Sequence, residues 1–224
     1  MIGRAIYLNE LAKGELILNP ENSISAKKYY FKESRVEQPR WWVVDEKYPQ
    51  YKYHNPNFMN FVLGSYKIFL SDHIEFYKDF IASLYIRKKD HNTNPQKSLA
   101  LALQSFLLGD VAQAKILLGE QYEKLPKSGA SNLIAALIYQ DEGFLNKCFK
   151  NLKNIYEKQG ALSPFRGYNE YATFAAKIAM HYGMQPDISD PIINKAMLNF
   201  EKIDYEDIDD IYKAYDIEPV KRYG

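Results

Sequence analysis

Only one cysteine, Cys148, stands in the 224 residues, so an internal disulfide framework is excluded. It sits among apolar residues with no histidine or second cysteine near it in sequence, which marks a small core filler rather than a reactive thiol. Four histidines, His54, His73, His91 and His181, fall in different segments and make no paired-ligand spacing. The closest two glycines, Gly160 and Gly167, are seven positions apart, too far for a phosphate-cradling loop. Gly129-Ala130-Ser131 lacks the second glycine of a nucleophile elbow, because Leu133 stands there. No apolar run reaches the roughly 18 residues of a membrane span, and the start of the chain lacks a secretory pattern. A formal net charge of +1 excludes a strong general pull on nucleic acid or anionic lipid. No cofactor or metal is implied, and the expectation is a soluble cytoplasmic protein that is not an enzyme.

What the chain does have is helix punctuation. Asn19-Pro20, Asn55-Pro56, Asn94-Pro95, Ser163-Pro164 and Asp190-Pro191 each set a capping side chain before a proline. There the missing amide of the proline costs nothing. Strand signals are confined to Trp41-Trp42-Val43-Val44. The reading is all-α, a helical bundle in a single domain over 1–224. Within it, 1–90 supplies N-terminal helices and an aromatic loop, 91–160 antiparallel helix pairs, and 161–224 capping helices.

The central pattern is an interval of 34 residues, joining Gly109 to Gly143, Ala114 to Cys148 and Leu118 to Leu152. That is the length of a tetratricopeptide repeat, a helix-turn-helix unit. Small Ala102 and Ala114 are placed to let two helix axes approach. In the second pair Leu145, Cys148, Phe149, Leu152 and Ile155 keep to one face, with Lys147, Lys150 and Lys153 off it. Helices are also expected over 22–36, with Ile24, Lys28, Tyr29 and Phe31 inward, and over 58–84 with a break near Ser71, where Asp72 and Glu75 resemble a capping box. His73 falls on the apolar seam of that stretch as a packed core histidine. A third apolar face from Tyr171 to Tyr182 stops at Gly183, and two short helices, 191–200 and 204–215, are expected to follow it.

Two stretches offer themselves to a partner. Between Glu37 and His54 the helical period is lost and Trp41, Trp42, Tyr48, Tyr51 and Tyr53 accumulate, as in an aromatic binding loop. From Glu201 to Asp210 run Glu201, Asp204, Glu206, Asp207, Asp209 and Asp210 against Lys202 alone. Acid there can meet a basic surface.

From about Ala100 to Leu198 the chain resembles the immunity protein 49 family of bacterial polymorphic toxin systems. The residues concerned are Leu107-Leu108-Gly109-Asp110 with Ala114 and Leu117-Leu118, Asp141-Glu142-Gly143-Phe144-Leu145-Asn146 with Leu152, and Ala175 through Gly183 with Pro191 beyond. The resemblance implies a cytoplasmic, largely helical protein that binds a cognate toxin without chemistry of its own. It supplies no catalytic residues. Contact residues come from the physics of the two stretches: Trp41, Trp42, Tyr51, Tyr53, Glu206, Asp207, Asp209 and Asp210. The alternatives are a tetratricopeptide-like adaptor for a peptide or protein partner, and an enzyme whose carboxylates are brought together only by folding.

Overall fold

The computed structural model describes residues 8, 11–16, 18–19, 23–46, 66–74, 77, 95–119, 129–158 and 169–205. Among them the protein is all-α, with no strand. Six helices carry the architecture: α1 (Ser23–Glu46), α2 (Pro95–Leu107), α3 (Val111–Gly119), α4 (Gly129–Tyr139), α5 (Glu142–Lys158) and α6 (Glu170–His181). A single 3-10 turn, Lys195–Met197, follows. Helical turns also cover 11–16 and 66–70, the first burying Ala12 and Leu16 one turn apart.

Helix α3 folds back on α2 across three residues, and α5 on α4 across two. Helix α4 also packs on α2, α3 and α6, and its stretch from Leu133 to Ile138 is buried on every side. Such all-round apolarity is what a central helix requires. Ala102 and Ala114 are both fully buried, as expected of residues that admit close axes. In α5, Leu145, Cys148 and Phe149 point into the core and Lys147 and Lys150 into solvent. Ile155 departs from its expected face and is exposed.

The spacing of equivalent positions is 31 residues, not 34. Gly109 ends α2 with φ of +89°, and its counterpart at the end of α4 is Gln140, with φ of +56°. Both turns close with the same bond, from Asp110 N–H to Ser105 C=O at 2.9 Å and from Asp141 N–H to Ala136 C=O at 3.0 Å. Each aspartate then caps the next helix: Asp110 accepts from Gln113 N–H at 3.0 Å and Asp141 from Phe144 N–H at 2.8 Å. Gly143 has no structural tie to Gly109, for it lies inside the first turn of α5. The 34-residue match paired glycines that do different work. A third end of the same kind follows α6, where Gly183 has φ of +82° and Met184 N–H reaches Ala179 C=O at 2.9 Å.

After α6 the described chain, to Tyr205, is irregular apart from the 3-10 turn. It first returns along the bundle, where Gln185 N–H donates to Glu142 at 2.7 Å, Asp187 N–H to Asn146 at 2.8 Å, and Asn169 N–H to Ile192 C=O at 2.6 Å. It then reverses and climbs α6 one turn at a time. Asn194 meets Thr173, Met197 meets Lys177, and Phe200 meets His181. The expected helix over 191–200 is therefore reduced to the 3-10 turn, and Asp204 and Tyr205 are not helical. Hydrogen bonds to side chains of α5 and α6 take the place of a helical ladder.

Candidate functional site

The two stretches marked for partner contact fare differently. Trp41 and Trp42 lie on α1, which runs ten residues past the expected end at Val36 and carries through Pro39. They are helical residues and not part of a loop; of α1 beyond Ser34 the backbone alone is described. Tyr48, Tyr51, Tyr53, Glu206, Asp207, Asp209 and Asp210 lie outside the described residues. Glu201, at the head of the acidic stretch, is turned toward the body of the protein instead of being left for a docking surface.

Its carboxylate completes a cluster that no local pattern announces. Lys27 on α1 donates to Glu201 Oε2 at 2.5 Å and to Asn199 C=O at 2.8 Å, and forms an ion pair with Asp72 Oδ2 at 2.8 Å. Lys177 on α6 pairs with the other oxygen of Asp72, donates to Met197 C=O at 2.6 Å, and lies 4.7 Å from the Phe200 ring centre. Glu201 N–H donates to Asp72 at 3.1 Å, and Ser23 Oγ donates to Glu201 at 2.9 Å. The Tyr205 hydroxyl donates to Ser71 C=O.

Local geometry delivers each member. Asp72 follows the helical turn 66–70 in the left-handed region, φ +65°, one of the few non-glycine residue types that tolerate it. The break near Ser71 is present and the Asp72 carboxylate faces the lysines; Glu75, the other half of the expected capping box, lies outside the described residues. On α1 the buried stripe is Ser23, Ala26, Lys27, Tyr30, Phe31 and Ser34, at three- and four-residue steps. Of the expected face Phe31 is inward, while Ile24 and Lys28 are exposed. Polar residues can occupy an inward stripe only where partners meet them, and those of Ser23 and Lys27 come from Asp72, Asn199 and Glu201, that of Tyr30 from Glu170 and that of Ser34 from the Phe31 carbonyl.

Side-chain exposure is 0% for Lys27, Asp72 and Lys177, and 38% for Glu201. With two ammonium groups and two carboxylates the cluster is balanced. Burial pulls Lys177 down to about 8, against the opposing pull of Asp72. The Glu201 carboxyl is held below its usual range by hydrogen bonds from Lys27 first and Ser23 after it.

A second polar group lies along the same helices. Glu170, in the first turn of α6, accepts from Tyr30 at 2.6 Å and Tyr66 at 3.1 Å, with Lys13 at 3.9 Å. Glu33 and Lys67 form a buried pair beside it. Burial, and then the Glu170 charge, drive the Tyr66 phenol well above its ordinary value. His73 closes a triangle of rings, 5.2 Å from Phe31 and 5.4 Å from Tyr205, which are 4.4 Å from each other, a packed histidine as its place on the seam implied. Cys148 is buried and its thiol is pushed up to about 11 by desolvation, an inert filler.

Chemically, these groups are arranged to satisfy one another. Lys177, whose pKa burial lowers, has no surface to offer, and the carboxylates that converge already hold lysines or tyrosines. Among the described residues no set of three or more histidine, cysteine or acidic side chains could hold a metal ion, and no helix is long and apolar enough to cross a membrane. The cluster escaped sequence reasoning because its members are up to 178 residues apart. No protein-family model, curated protein or solved structure matches this chain.

Proposed function

We propose that this protein is a cytoplasmic immunity protein, which neutralises a cognate bacterial toxin by protein–protein contact and performs no reaction itself. The observation that carries the reading is that, among the described residues, the ionisable groups folding brings together are closed on each other, with Asp72 and Lys177 wholly covered and Lys27 held by Asp72, Glu201 and Asn199. A catalytic pair needs a face toward substrate; Asp72 and Lys177 have none, and Glu201, which does reach solvent, is held by Lys27 and Ser23. The resemblance through Leu107–Asp110, Asp141–Asn146 and Ala175–Gly183 supports the same assignment, as does the all-helical bundle. Contact is assigned to Trp41, Trp42, Tyr51, Tyr53, Glu206, Asp207, Asp209 and Asp210, with a toxin surface of basic character facing the acids.

A tetratricopeptide-like adaptor is the second reading, favoured by the stacking of α2 and α3 on α4. Against it, α4 is buried from Leu133 to Ile138, so this helix lines a core and not an open groove. The test is co-expression of the product of the adjacent gene with and without this chain, scoring growth and co-purification. Relief of growth arrest with a stable complex supports immunity. A harmless neighbour that does not co-purify removes it.

A further inference from the structure

We propose that residues 197–205 form an acid-released latch, held shut by the pairing of Glu201 with Lys27 beside the buried Asp72–Lys177 pair. This is independent of the toxin reading. The segment has almost no regular structure, and each of its attachments runs to the same small area. Met197 and Asn199 give carbonyls to Lys177 and Lys27, Glu201 gives its carboxylate to Lys27 and its N–H to Asp72, and Tyr205 bonds Ser71. Phe200 completes the attachment against Phe69 and His181, at 5.7 and 5.5 Å between ring centres.

Of the four charged members Glu201 alone reaches solvent, so protons arriving from outside meet it first. Neutralising it leaves two ammonium groups facing one carboxylate in a space with no water contact. An unbalanced buried charge is far more costly than the balanced set. The chain relieves the imbalance by lifting 197–205, which admits water to Lys27 and Lys177 while the apolar hairpins α2–α5 stay packed.

The groups facing Glu201 are Lys27 and Ser23 from α1, Asp72 from the turn after 66–70, and Lys177 from α6; His73 stacks on Tyr205 close by. The hydrogen bonds that hold the Glu201 carboxyl below its ordinary 4.5 give the sign. The attachment is complete above that value and is lost as pH falls through the lower folded one.

The experiment is hydrogen–deuterium exchange on the full chain, corrected for intrinsic rates, comparing peptides of 194–205 with those of α2–α5. Glu201→Gln at neutral pH is expected to raise exchange of 194–205 about tenfold or more and leave α2–α5 within about twofold. The unaltered chain should show the same selective opening in acid, and His73→Gln should retain that acid response. Unchanged exchange in Glu201→Gln, loss of the acid response in His73→Gln, or α2–α5 opening in step with 194–205 would overturn the proposal. Should the variant not fold, the acid series on the unaltered chain decides alone.

Discussion

The two halves of this molecule keep their interiors by different means. Between α2 and α5 the core is built on Leu99, Leu103, Phe106, Leu118, Leu133, Leu137, Leu145 and Phe149, and among the described residues no charged side chain is buried there. Around α1, the 66–74 turn and α6 the interior holds Lys27, Glu33, Lys67, Asp72 and Lys177 among its aromatics. An apolar core tolerates many partners of suitable volume, so its helices need only local pattern to find each other. A buried charge tolerates one arrangement, the one that supplies its counter-charge and its hydrogen bonds. The second half gains definition from its charges at the risk that any single loss leaves the rest exposed to imbalance.

Substitutions can break this contrast. The largest effect is expected for Asp72→Ala, which leaves two covered lysines to one carboxylate, Glu201, and should cost about 3–5 kcal/mol in denaturant unfolding. Removing Lys177 together with the Asp72 charge, as in Lys177→Met with Asp72→Asn, should recover most of that loss, since Lys27 and Glu201 remain balanced. Additive losses would show that packing, and not charge balance, sets the stability there.

In the apolar half Phe149→Ala should cost a similar ~3–5 kcal/mol, but with no dependence on pH. The charged half differs in this respect. Because burial lowers Lys177 from 10.5 to about 8, the unfolded chain binds the extra proton between these values. Stability therefore rises with pH across that window, by a few kcal/mol at most, and Lys177→Met should abolish the rise.

The smallest effect compares the hairpin ends. Gln140 holds a left-handed φ that Gly109 adopts without strain, so Gln140→Gly should stabilise by roughly 0.5–1 kcal/mol and Gly109→Ala destabilise by about 1 kcal/mol. Thermal unfolding of both variants checks the assignment of the 31-residue equivalence. Equal and same-signed shifts would dissolve it.

The same contrast governs what could be read from the chain. In α5 the three- and four-residue steps of Leu145, Cys148 and Phe149 state the buried face directly, because apolar burial needs no distant partner. In α1 they do not: Lys27 occupies the inward stripe while Ile24 is exposed, and Glu201 and Asp72 make that arrangement stable. The repeat length was misread for a related reason. A residue at a helix end is recognised by its backbone, and Gln140 has nothing in its side chain to say that it stands where Gly109 does. After Gly183 the punctuation Asp190-Pro191 points to a helix over 191–200, and the run is irregular instead because its bonds to Glu142, Asn146 and Thr173 belong to tertiary structure.

Whether the converging charges hold the fold or perform chemistry is decided most directly by stoichiometry. Purified protein would be titrated into the product of the adjacent gene while the toxicity or activity of that product is followed. Neutralisation by contact predicts a linear fall to zero at a fixed molar ratio, unaffected by longer incubation. Complete silencing by a small fraction of an equivalent, growing with time, would mean turnover and would contradict the account.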